Sequence, residues 1–433
     1  MKIIKIMASV FLITSLASAH DHDNLFDLCA VTGCVACDPV SKTDEPGVSR
    51  AIGVWLQPTY KDFSLDELEG AFKGFQVGHE GERSEKQGLG VDHTEFYWSG
   101  TKEDQLRGSA VIAIAEHDGE TEVEFEEAYI ETLNSYGLPE GFNIKLGRAF
   151  WTLGSLNAQH SHSDSFADRA LPYRVFLEKA YNDDGAELSF QLPVDIYAVA
   201  GIGSFRGNDF PFGLAEGAES GNEAKSAYIR IGDSIGENAS WRVGAYMLSG
   251  NVGSRASGHA HDGVTETLTF SGDSDLYIYD VRYAFAPTGN SAEKELVLSA
   301  EYFSRNEDGT LNLYVDNPNE DGYIDTATSA TSDDFAWSDI DSSGYYASAV
   351  YKLNPKMRIG YRYSKMNSPD VPTAFAAAHE GEFDPAGFDP VATAYMIDWN
   401  HSDHSLIRFQ INQEELANGQ EDDQFIVQYI MNL

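Results

Sequence analysis

The chain has 433 residues and a formal net charge of −40, from 69 Asp and Glu against 29 Lys and Arg. That charge excludes nucleic acid and anionic lipid as partners and is compatible with cations. Beyond residues 1–19, no apolar run approaches the roughly 18 residues that a membrane helix needs. The chain is therefore either soluble or crosses a membrane as a closed barrel, because lipid demands that every backbone polar group be paired within the protein. Its 22 Tyr, 24 Phe and 39 Gly beside only 14 Pro lean toward the barrel. In barrels, lipid-facing residues alternate with polar interior ones, and polar loops dilute the average.

In chain order, Met1–Lys5 is a basic start, Ile6–Leu16 is mostly apolar, and Ala17-Ser18-Ala19 is a small-residue cleavage site. This predicts a signal peptide over 1–19 and export from the cytoplasm. Residues 20–50 then form a short periplasmic segment with a Cys/His cluster. Cleavage after Ala19 leaves a free amine followed by His20-Asp21-His22, which can wrap Cu²⁺ or Ni²⁺ in a square-planar site. Cys29, Cys34 and Cys37 predict either a disulfide with one thiol left over or, with the nearby His, a metal site.

Period-two alternation dominates the rest. Strands are predicted near 51–60, 91–98, 106–116, 121–133, 142–151, 171–181, 185–203 and 224–233. They continue near 238–250, 275–285, 294–305, 343–353, 356–366, 392–400, 404–414 and 424–433. Pro193 is a place where 185–203 can split, and Leu311–Val315 can pair as an extra hairpin arm, either of which changes the count. The pattern is clear in 275–285, where Tyr277, Tyr279, Val281, Tyr283 and Phe285 share a face opposite Asp280 and Arg282. The last strand alternates through Phe425, Val427, Tyr429, Met431 and Leu433. Short turns (Asp233–Glu237, Leu353–Lys356, Asn400–Asp403) alternate with long polar segments at 204–223, 251–274, 306–342 and 367–390. The prediction is an all-β fold: a transmembrane antiparallel β-barrel of about 16 strands over residues 51–433, with short periplasmic turns and long extracellular loops.

Val123-Glu124-Phe125-Glu126-Glu127-Ala128-Tyr129-Ile130 is followed by Leu138-Pro139-Glu140-Gly141-Phe142-Asn143-Ile144-Lys145-Leu146-Gly147-Arg148. Then come Leu156-Asn157-Ala158-Gln159-His160-Ser161-His162 and Phe166-Ala167-Asp168. This order resembles a family of proteobacterial outer-membrane, porin-like proteins, some labelled zinc-regulated or TonB-dependent receptors. Ala51-Ile52-Gly53-Val54-Trp55-Leu56 resembles the family's first strand, so the likeness spans roughly residues 49–206. The resemblance implies a barrel in the outer membrane of a Gram-negative cell, among lipid and lipopolysaccharide, with a link to divalent metals. Members often carry a His-rich loop between the first two strands. Here Lys61–Gly90 holds only His79, and His20–Arg50 is too short for the plug of a TonB-dependent transporter.

His160 and His162, with Asp164 and Asp168, occupy one long connection; His259 and His261, with Asp262, occupy another. An extended H-x-H puts both imidazoles on one side, about 7 Å apart along the backbone. Imidazole with carboxylate suits Zn²⁺, Ni²⁺ or Cu²⁺, the alternative being solvated loop histidines. Asn317, Asn319, Asp321, Gly322, Ile324 and Asp325 have the spacing of a Ca²⁺ loop, but Thr328 stands where a bidentate Glu belongs. A plain Asx-rich turn is the alternative reading.

Lys145, Arg230, Arg242, Arg282, Arg358, Arg362 and Arg408 take polar positions and predict a basic lumen lining. Such charges either filter ions or pair with lumen carboxylates. Arg148 shares a face with Phe142, Ile144 and Leu146 near a strand end, where it can snorkel. Catalytic motifs are missing, which predicts neither an enzyme nor a required cofactor. The expected function is a porin-like channel for small solutes, linked to Zn, Ni or Cu uptake. The alternative is a display or metal-scavenging barrel without an open pore. A homotrimer is expected by analogy with other sixteen-stranded porins.

Overall fold

The alternating segments pair into one closed sheet in the computed structural model. It describes residues 41–42, 48–65, 72, 75, 87–103, 105–117, 120–213, 224–261, 264–316, 331–369, 389–402 and 404–433. The signal-peptide reading, His20, His22, the three Cys, His79, Asp262 and the Asn317–Asp325 loop lie outside the described residues.

The strands are β1 (Ser41–Lys42), β2 (Val48–Phe63), β3 (Gly88–Lys102), β4 (Leu106–His117), β5 (Glu120–Thr132) and β6 (Phe142–Phe150). After a helix come β7 (Asn182–Gln191), β8 (Tyr197–Phe205), β9 (Ala224–Ile235), β10 (Ala239–His261), β11 (Val264–Phe285) and β12 (Glu295–Asp316). The last are β13 (Thr331–Asn354), β14 (Met357–Asn367), β15 (Val391–Ser402), β16 (Ser405–Glu415) and β17 (Glu421–Asn432). From β2 onward each strand pairs antiparallel with the next, and β17 returns to β2, with Val427 opposite Tyr60. Leu433 and Val54 exchange both backbone bonds at 3.0 Å. The result is a closed antiparallel barrel of 16 strands, to which β1 adds two residues beside the start of β2. Closure leaves no free edge in lipid.

The outer wall carries exposed Ile52, Phe96, Ile130, Ile202, Ile229, Val281, Leu298, Ile359 and Ile397. An apolar belt of that extent belongs against lipid, not water. Tyr279, Tyr302 and Tyr345 stand opposite one another on β11, β12 and β13 and form an aromatic row at the belt's edge.

Three expectations need correction. The segments 251–274 and 306–342 are not loops throughout: β10 to β13 run for 22 to 24 residues each and continue past the aromatic row as a four-stranded wall. At about 3.3 Å per residue such strands are roughly 70 Å long, far beyond an apolar band of about 25 Å. Above the row the faces invert, with Leu268, Phe270, Leu311, Leu313 and Trp337 buried inside and Asp273, Asp308 and Thr310 outside. Residues 171–181 are not a strand: Leu171–Leu177 is a buried helix, here α1. The segment 185–203 is not one strand but two, β7 and β8, separated by a turn containing Pro193. The last two errors offset each other, so the strand number is unchanged.

Val281 sits mid-belt on the lipid face. Val281→Arg is expected to cost about 2–4 kcal/mol in denaturant unfolding from lipid. Thr310→Arg, on the projecting wall, is expected to stay within about 0.5 kcal/mol of the parent. Equal costs would show that the belt is misplaced.

Candidate functional site

Residues 151–181, between β6 and β7, fold back into the lumen. Their bonds reach walls on all sides, which only an interior segment can do. Thr152 N–H and hydroxyl donate to Glu187 on β7, at 3.2 and 2.9 Å. Arg230 on β9 donates to Gly154 O (3.0 Å), and Ser155 N–H donates to Glu301 on β12 (3.0 Å). Arg362 on β14 holds Asp168 at 2.7 Å, and Arg408 on β16 donates to Asp164 O at 2.7 Å. Arg174 reaches Glu414 at 2.6 Å.

The local sequence explains the fold of this insert. Pro172 lies in the first turn of α1, where its fixed φ fits and no N–H is missed. Leu171, Tyr173, Val175, Phe176 and Leu177 are all buried in the apolar core, where the helix packs against β13 and β14 and Tyr173 and Phe176 meet Phe303 of β12. A seven-residue helix that is apolar except at Arg174 shows neither a clear strand period nor an amphipathic one. Gly154 has φ +61°, and a Cβ there would press on the Glu301 carboxylate and the Tyr173 hydroxyl. Asn157 ties the insert's ends together: its amide donates to Trp151 O (2.8 Å) and Tyr181 O (2.9 Å), and its Oδ1 accepts from Tyr181 N–H (2.6 Å).

Beside the insert lies a cavity of about 400 Å³. Arg242, Arg282, Lys352, Arg358 and Arg362 line it, against Asp164, Asp168 and Glu295. Asp280, which binds Arg242 at 2.6 Å, and Asp398, which binds Arg358 and Arg408, are buried and not part of the lining. The surface offered to a solute is therefore basic, although the chain as a whole is strongly acidic.

A second cluster joins the insert to β3 and β5. His93 and Glu95 lie two apart on β3 and face inward together. On β5, Val111 of β4 pairs with Glu127 and Ile112 with Phe125, so Glu126 is the extra residue of a β-bulge. The bulge turns two successive carboxylates toward the interior. His160 caps a 3₁₀ turn (Ser161–Ser163) and His162 lies at its middle, their rings stacked at 5.5 Å, with His162 also stacked on Trp55 at 4.0 Å.

His160 Nδ1 lies 3.1 Å from Glu95 Oε2 and 3.3 Å from Glu126 Oε2. His93 Nε2 lies 3.1 Å from Glu95 and 3.3 Å from Glu126, and His162 Nδ1 lies 3.2 Å from Glu95. Burial disfavours a charged His160, but Glu95, Glu126 and Glu127 outweigh it and hold its pKa well above the ordinary value. Burial likewise pushes the Asp164 carboxyl up against the pull of Arg169.

The sequence-predicted residues thus part company. His160 and His162 come together, while Asp164 turns to Arg169 (2.7 Å) and Asp168 to Arg362. The 3₁₀ turn separates them, so the local H-x-H-x-D spacing does not assemble one site. For His259 and His261 the backbone is described, near the tip of β10, but their side chains are not. Arg230 and Arg408 are engaged in holding the insert, and Lys145 lies over the rings of Tyr129 (4.2 Å) and Trp151 (5.5 Å). Arg148 finds Asp184 and Asp209, each at 3.1 Å. His93, Glu95, Glu126 and Glu127 were not anticipated. His93-Thr94-Glu95 offered the same one-sided spacing as H-x-H, whereas the bulge that recruits Glu126 has no sequence signature of its own.

No protein-family model matches the chain. An uncharacterised protein of Aquifex aeolicus strain VF5 is 28% identical over 367 residues, covering 82% of this chain and 70% of that protein. Among solved structures, the outer-membrane channel DcaP of Acinetobacter baumannii aligns with TM-score 0.53 at 11% identity, over 91% of this chain and 100% of that one. OprB of Pseudomonas putida aligns with TM-score 0.53 at 9% identity, over 89% and 94%. The shared feature is the porin-like barrel fold.

Asn157→Ala removes three buried bonds at the insert's base and is expected to destabilise it locally by about 1–3 kcal/mol. Hydrogen exchange across 151–181 should accelerate while the strands stay protected. Unchanged exchange would mean that the base is held by packing alone.

Proposed function

We propose that this protein is a porin-like channel of the Gram-negative outer membrane that passes small solutes by diffusion, with the in-folded insert as its selectivity element. The observation that carries this reading is a closed barrel with an apolar outer belt whose interior keeps a cavity of about 400 Å³ lined by basic side chains. Fixed guanidinium groups at a constriction favour small anions over cations. Solutes linked to Zn, Ni or Cu uptake form the finer version of this reading. The His/Glu cluster supports it, and the basic lining opposes free passage of a bare cation.

A second reading is a display or metal-scavenging barrel without a through-path. It draws support from α1, which packs into an apolar core filling the lumen beside β10 to β13. Planar-bilayer recording of the folded protein separates the two. The channel reading expects steady single-channel conductance, and Arg282→Glu is expected to move the reversal potential in a salt gradient toward cations. Absence of current from folded protein would leave the display reading.

A further inference from the structure

We infer that the cluster of His93, His160, His162, Glu95 and Glu126 holds a resident divalent transition-metal ion that latches the insert to the barrel wall. Six buried polar atoms meet there without hydrogen-bond partners: His93 Nε2, both nitrogens of His160, and one oxygen each of Glu95, Glu126 and Glu127. Side chains this buried normally satisfy such atoms. Those of Glu95 and His160 are only 1% and 2% exposed.

The distances identify what belongs between them. The nitrogen–oxygen separations are 3.1–3.3 Å, close enough for contact yet without the direction of a hydrogen bond for His160 Nδ1 and His93 Nε2. Around an ion with bonds of about 2.1 Å, neighbouring ligand atoms lie about 3.0–3.4 Å apart in octahedral or tetrahedral geometry. The donors fall into two overlapping triads, Glu95 with His160 and His162, and His93 with Glu95 and Glu126, each with its donor atoms within 4.8 Å of one another. Glu95 belongs to both and is the central ligand. Glu127 lies 3.4 Å from His160 Nε2, the nitrogen turned away from Glu95. A carboxylate there orients the ring and raises its basicity, as outer partners of metal-bound histidines do.

Charge points the same way. Three buried carboxylates need a counter-charge, and a divalent ion can supply it in place of the protons that they otherwise hold on the histidines. Imidazole nitrogens select Zn²⁺, Ni²⁺, Cu²⁺ and their neighbours over Mg²⁺ or Ca²⁺. None of these side chains lines the basic cavity, so the ion is held in the wall rather than passed along it. The ligands come from β3, β5 and the insert, so an ion there joins parts of the chain that the backbone does not. Only the conductance readout below rests on the channel reading.

The test uses the full-length protein in detergent, depleted with a strong chelator and titrated with Zn²⁺ against a chromophoric competitor. Bound metal is counted by elemental mass spectrometry. The expected result is tight Zn²⁺ binding that millimolar Mg²⁺ does not displace. Glu95→Gln and His160→Gln should weaken it by roughly 100-fold or more, and the orienting variant Glu127→Gln by about 10–100-fold. Zn²⁺ should also slow tryptic cleavage at Arg169 and Arg174 in the parent but not in Glu95→Gln. Folded parent protein that takes up no Zn²⁺, or variants that bind like the parent, would overturn the inference. Bilayer recording of the same samples keeps the two readings apart. Metal bound without current retains the site and removes the channel, and current without metal does the reverse.

Discussion

Lipid offers no hydrogen bonds, and that one constraint organises this molecule. A sheet that crosses a membrane must pair its last strand with its first, which here means bringing Val427 beside Tyr60. Closure creates an interior, and a barrel of 16 strands encloses more space than the wall's own side chains fill. Residues 151–181 occupy much of that space. Their polar atoms are met by inward carboxylates and guanidinium groups such as Glu187, Glu301, Arg362 and Arg408. The buried ion pairs of the lumen follow from that arrangement. Each buried wall charge left without a partner would be costly, and most have been given one.

Two environments act on the same strands. In the belt, apolar residues face out and polar ones in. Past the tyrosine row on β11 to β13, solvent lies outside and α1 inside, so the preference reverses, and β10 and β13 each carry a bulge there, at Val252–Arg255 and Trp337–Ile340. β11 and β12 pass from one regime to the other with the same residues facing inward, while on β10 and β13 the bulge shifts the inward face by one residue, from Val252 to Arg255 and from Ile340 to Trp337. That is why the inner surface is polar beside the cavity and apolar beside Phe176 and Phe303.

The same reversal sets how much could be read from the sequence. Segments with an apolar lipid face, such as 275–285 and 356–366, declare themselves through Tyr, Val and Ile at alternate positions. The projecting halves of β10 to β13 carry Thr, Asp and Asn outside and read as loop, although Leu268, Phe270, Leu311 and Leu313 keep the strand period. The insert escaped because its helix is short and apolar except at Arg174, and Pro172 marks a helix start as readily as a break. Of the His/Glu cluster, His160 and His162 were visible as a local pair. Glu95, Glu126 and Glu127 come from strands far away in sequence, and no spacing rule connects them to residue 160.

The bulge on β5 deserves to be seen as arithmetic. Phe125 and Ala128 both face outward, and two residues stand between them where a regular strand has one. The lipid face of β5 is therefore indifferent to Glu126: a chain shortened by that single residue would still alternate correctly from Phe125 through Glu127 to Ala128. The wall and the cluster are thus separable, one specified by residue type and the other by residue number. A barrel of this kind can gain or lose a carboxylate in its interior by a one-residue change in length, without altering any group that touches the membrane.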